Sequence, residues 1–173
     1  MRRVVAGALA LAVMGCRRFP APLRTLEEIF LSRNDNDPRL DTDFNGLSAQ
    51  DRGLLRRRYR KLAPERRNER GTIVYLLGKN LRSEEDWAFL REVVSEPACL
   101  SLADCSKSVP GAAGMGDEVT LAYPALVALK QAQRSLEQGA SVEEARGVIA
   151  DAKGSRARAV ARLAAELDGR SFP

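Results

Sequence analysis

Residues 48–95 read SAQDRGLLRRRYRKLAPERRNERGTIVYLLGKNLRSEEDWAFLREVVS, and their pattern decides the fold class. Ser48-Ala49-Gln50-Asp51 has the form of a capping box, a hydroxyl followed three residues later by an acid at a helix start. Leu54, Leu55, Tyr59 and Leu62 then recur at helical spacing. Ala63-Pro64 ends this run, because proline disfavours α geometry in the residue before it. Pro64 also suits the first position of a next helix, whose buried stripe is Ile73, Val74, Leu76 and Leu77, up to about Lys79. Ser83-Glu84-Glu85-Asp86 is a second N-terminal signature, and Trp87, Phe89, Leu90, Val93 and Val94 form the apolar face behind it until Pro97.

The same grammar extends outward. Thr25 to Ser32 forms the first helix, with Leu26, Ile29 and Phe30 on one face. Arg17 to Pro22 before it is a tether held extended by its prolines. Residues 98–117 are read as a loop, with Pro110 to Gly116 as its glycine-rich part. Pro124 starts a helix with Leu126, Leu129 and Leu136 inward, and Gly139 ends it. Ser141 with Glu144 makes a third capping box, and Val142, Ala145, Ile149, Ala152, Val160, Leu163 and Leu167 keep helical spacing to the end. Gly154 kinks or breaks that stretch. No segment alternates with period two, so the expectation is an all-α domain over residues 23–173, of six or seven helices in antiparallel pairs. Such an order resembles HEAT-type α-α repeats, most of all across 48–95. No fixed period recurs, so an irregular helical bundle stands beside that reading.

The N-terminus carries a different signal. Arg2 and Arg3 precede an uncharged run, Val4 to Met14, too short for a membrane-spanning helix of about 20 residues. Val13-Met14-Gly15-Cys16 resembles the lipobox of bacterial lipoproteins. The resemblance covers sixteen residues and implies that residues 1–15 are a signal peptide, that the chain is cut before Cys16, and that Cys16 receives lipid. Residues 16–22 then form the lipidated Cys and tether. Arg17, where an Asp in that family often retains the protein at the inner membrane, points to the outer membrane.

The composition agrees with export. Loss of Arg2 and Arg3 takes the formal charge from +5 to +3, and an exported, tethered chain has no nucleic acid to meet. Three cysteines are present; with Cys16 lipidated, Cys99 and Cys105 remain as a pair that an oxidising compartment joins as a disulfide. The chain has no histidine, which excludes Ser-His-Asp and Cys-His sites and leaves too few soft ligands for zinc.

Two constellations offer binding chemistry. Asp41-Thr42-Asp43-Phe44-Asn45-Gly46 resembles the start of an EF-hand calcium loop, with oxygen ligands Asp41, Asp43 and Asn45 at alternate positions and Gly46 at the turn. It departs from that family at Arg52, where a bidentate Glu belongs, and at Ser48. Its other reading is an Asx-rich turn that bonds its own backbone. The second is the basic run 56–70, holding Arg56, Arg57, Arg58, Arg60, Lys61, Arg66, Arg67 and Arg70. Arg52, Arg56, Arg57, Tyr59 and Arg60 form its contact edge for a partner or anionic lipid; a solvated face with ion pairs is the plainer reading. The function these features imply is a non-enzymatic, lipid-anchored, periplasm-facing adaptor or scaffold for an envelope assembly. The alternatives are a calcium-dependent binding module built on Asp41 to Asn45, or a pilotin-like escort of an outer-membrane protein.

Overall fold

The structure, a computed structural model, describes residues 20–106 and 115–172. Among them are nine helices and no strand: α1 (Ala21–Ser32), α2 (Arg39–Thr42), α3 (Ala49–Lys61), α4 (Arg67–Gly78), α5 (Glu84–Val94), α6 (Met115–Leu121), α7 (Tyr123–Glu137), α8 (Val142–Lys153) and α9 (Arg158–Asp168). The chain is all-helical as expected, but the count exceeds six or seven. The last stretch breaks at Gly154, and α2 and α6 are added. Both are too short to display an apolar period, and α2 lies in a stretch rich in Asp and Asn, which disfavour helix interiors.

Local chemistry explains most boundaries. Ser48 caps α3 by accepting from the Asp51 backbone N–H at 3.1 Å. At α5 the box is reciprocal: Asp86 Oδ2 accepts from the Ser83 backbone N–H and the Ser83 side chain faces the N3 backbone. Three expectations are corrected. Helix α1 begins at Ala21 with Pro22 in its first turn, so those residues belong to the helix and not to an extended tether; proline's fixed φ suits that turn. Helix α4 begins at Arg67, three residues after Pro64. Ser141 makes no capping box: it sits in the left-handed region at φ 45° with no side-chain cap bond.

The core is one contiguous cluster, from Leu23 in α1 to Leu167 in α9. Helix α7 is its hub, packed against α4, α5, α6, α8 and α9. Glycines bring α4 and α7 together. A Cβ at Gly71 or at Gly78 would come within 3.0 Å of Tyr123 or Gln131 respectively. The two contacts advance in the same sense along both helices, so α4 and α7 run in the same direction. Val142, placed inward by its spacing, is exposed; the stripe of α8 starts at Ala145.

Candidate functional site

The basic edge of α3 is largely turned into the fold. Arg52 is buried. Its Nε lies 2.9 Å from Asp86 Oδ2, and its Nη1 donates to the Leu47 carbonyl at 2.8 Å. Arg56 pairs with the other oxygen of the same carboxylate. Burial pushes the Asp86 carboxyl up, yet donation from the Arg82 backbone, the Ser83 hydroxyl and Arg52 outweighs it and holds the pKa below its ordinary value. Asn80 completes this network: it accepts from the Leu47 N–H at 3.0 Å and donates to the Phe44 and Leu76 carbonyls at 2.8 Å each. Loop 43–47, α3, the end of α4 and the start of α5 are thereby joined by buried polar groups.

Tyr59 is a core residue, with no exposed surface. Its ring meets Phe89 edge-on at 5.0 Å and carries the Arg70 guanidinium 4.2 Å from its centroid. Its hydroxyl donates to Glu96 at 3.1 Å, and Arg70 donates to both Glu96 oxygens at 2.6 and 2.7 Å. Burial pushes the Glu96 carboxyl up, more than Arg70 and Tyr59 pull it down. Arg60 is exposed and bound to Glu92 at 2.6 Å, and Arg58 to Glu27 at 2.5 Å. Of the predicted contact edge, Arg57 alone is both exposed and without a carboxylate partner among the described residues; Lys61, one turn on, shares that state.

The acidic loop is engaged internally. Asp41 lies in α2, its carboxylate accepting from the Tyr75 hydroxyl at 2.7 Å and lying 3.3 Å from Lys79 Nζ. These two donors hold its pKa below the ordinary value. Asp43 accepts from the Thr42 hydroxyl, and Asn45 donates to the Asp41 carbonyl. Gly46 takes φ +69°, as the turn position requires. Arg52, where the calcium family has its bidentate Glu, points to Asp86. Among the described residues no three Cys, Asp or Glu side chains gather as a metal site.

Cys99 and Cys105 form the expected disulfide. The loop they close is docked on the start of α4. The Cys105 N–H donates to Glu65 at 2.8 Å, and Arg67 donates to the Ser101 and Leu102 carbonyls at 2.6 and 3.2 Å. Beside it a cleft of about 50 Å³ opens between α4, α5, α7 and the α8–α9 turn. Arg67, Arg70 and Glu96 are its ionisable lining; Val93, Ala125 and Ala157 are among its apolar walls. Periodicity placed Arg67 and Arg70 in a solvated basic run and left Glu96 unmarked. Only the pairing of α4 with α5 and the disulfide loop gathers them. Cys16 and the signal segment lie outside the described residues, as does the part of the glycine-rich loop from Pro110 to Gly114. No helix among the described residues is long and apolar enough to cross a membrane. No family model, curated protein or solved structure matches the chain.

Proposed function

We propose that this protein is a lipid-anchored lipoprotein of the bacterial outer membrane. Its helical domain faces the periplasm and serves as a non-enzymatic adaptor. The observation that supports this reading is the Cys99–Cys105 bond. Disulfides persist in oxidising compartments. With two of three cysteines so used, Cys16 is the one left over, and it stands at the end of a basic, then apolar, then small-residue segment. Arg17 after it favours the outer membrane. The helices stack in a HEAT-like manner on this reading, with α4 and α7 as equivalent members of successive pairs, and Arg57 with Lys61 as the part of the basic edge open to a partner.

Mass spectrometry of the mature N-terminus tests the anchor. A di- or triacylated Cys16 is the expected species, and Cys16→Ala leaves the chain uncut or released from the membrane. A mature N-terminus beginning at another residue without lipid refutes the proposal.

A further inference from the structure

We infer that the cleft between α4, α5 and the α8–α9 turn is a binding site for a carboxylate monoanion carrying a short alkyl group. Two arginines line it, Arg67 and Arg70, each 8% exposed. Both keep a buried Nε–H with no acceptor. Arg67 gives both Nη atoms to the disulfide loop, and Arg70 gives its Nη2 to Glu96. A buried donor left without an acceptor is destabilising, and two from neighbouring turns of one helix is a pattern that an unseen acceptor explains. Among the described residues Gln131 holds the other unpartnered buried atom, an acceptor, and does not line this cleft.

The ligand class follows from charge, size and lining. Two guanidinium groups and one carboxyl line the cleft, which leaves one positive charge when Glu96 is ionised. That matches a monoanion and leaves a phosphate dianion half compensated. The volume of about 50 Å³ holds several waters or one group of carboxylate size. A planar carboxylate offers two acceptor oxygens; both Nε–H groups are closed to solvent as the side chains stand, so the arginines shift to reach it. Valine and alanine walls suit a methyl or ethyl group behind it. Two sources carry this chemistry: a small free acid, and the C-terminus of a polypeptide ending in a small apolar residue. The inference does not depend on lipid at Cys16, because every residue of the cleft lies within the helical domain.

The test uses the full-length chain in detergent, with thermal unfolding and titration calorimetry at fixed ionic strength. The probes are acetate, propionate, a short peptide ending in alanine, and its C-terminal amide, with chloride as the reference anion. Carboxylates raise Tm progressively with concentration and chloride does not. Ala125→Leu and Ala157→Leu, both at partly exposed positions, narrow the cleft without touching the arginines and weaken binding about tenfold or more, a loss of about 1.4 kcal/mol. Arg67→Lys keeps a cation but removes the Nε–H, and weakens it likewise. A free-carboxyl peptide binding more tightly than acetate, with the amide inert, identifies a chain terminus as the source; acetate matching the peptide identifies a small acid. Equal responses to chloride and acetate overturn the inference, as does binding that survives in both leucine variants.

Discussion

The helices on the two sides of the molecule are held together by different chemistry. Around α3 the cross-links are arginines reaching carboxylates of other elements: Arg52 and Arg56 at Asp86, Arg58 at Glu27, Arg60 at Glu92. The interior of α7–α9 instead interleaves large apolar residues, Leu129, Leu136, Ile149 and Leu167, with small ones, Ala128, Ala132, Ala145, Ala152 and Ala164, all fully buried or nearly so. The first arrangement is directional, and at the buried Asp86 the loss of one partner strands a charge in the interior. The second depends on how closely backbones approach, and an added methyl group is what harms it.

The sharpest way to break the arginine side is Asp86→Ala. Asp86 is 1% exposed and receives two guanidinium groups and the Ser83 cap. Its removal leaves Arg52 buried and unpaired, which costs about 3–5 kcal/mol in urea unfolding. Arg52→Met combined with Asp86→Leu recovers much of that loss, since a packed apolar pair replaces a broken ionic one. If the single and double variants are equally unstable, the polar network is not what holds α3 to α5.

The close-packed side breaks by enlargement. Gly78→Ala puts a methyl group into Gln131 and destabilises by about 1–3 kcal/mol, read from the same unfolding midpoint. Gly147, in the middle of α8, has nothing within 4 Å of an added Cβ. Gly147→Ala therefore stabilises by up to about 1 kcal/mol through helix propensity. Opposite signs at two helical glycines separate close approach from propensity.

How legible each side was follows from the same contrast. Apolar periodicity marked Leu55, Tyr59, Ile73, Trp87, Leu129 and Ile149 because burial of one helix face repeats along the chain. Capping at Ser48 and Ser83 was legible because it is local. Arg52, Arg67, Arg70 and Glu96 were not: a buried arginine is written with the same letter as a solvated one, and its burial is decided by a carboxylate 26 or 34 residues away. The internal bonds of the acidic loop were hidden for a related reason, since the partners of Asp41 are Tyr75 and Lys79 on another helix. Helix α6 was missed because seven residues show no period.

Two carboxyls, Asp86 buried and Glu96 half-buried, also set opposing pH responses. Asp86 has its folded pKa below the ordinary 3.8, so its stabilisation is present above that value and is lost as pH falls through the folded pKa. Glu96 has its folded pKa above the ordinary 4.5, so its contribution is full in acid and is lost as pH rises through the folded value. Glu96→Gln removes the second response. The expected stability profile of this variant from urea titrations no longer declines above pH 4.5 on this account, while the acid limb set by Asp86 remains. A wild-type decline that persists in Glu96→Gln assigns it to other groups.

The smallest stability effect is expected where the basic edge is open. Arg57 is exposed, Lys61 is exposed, and neither has a carboxylate partner among the described residues. Arg57→Glu with Lys61→Glu should change stability by no more than about 0.5 kcal/mol, the usual range for surface sites. By contrast, Arg56→Glu brings a second carboxylate to Asp86 and should unfold the α3–α5 contact. The double variant is therefore the one that reports on recognition without disturbing the fold. If the adaptor reading is right and this edge meets an acidic partner or anionic headgroups, the double variant loses binding in pull-down or vesicle flotation. Wild-type binding then weakens as salt rises, since exposed charges are screened over about 10 Å at 0.1 M. Binding left intact by the double reversal, at unchanged stability, removes the basic edge from the function.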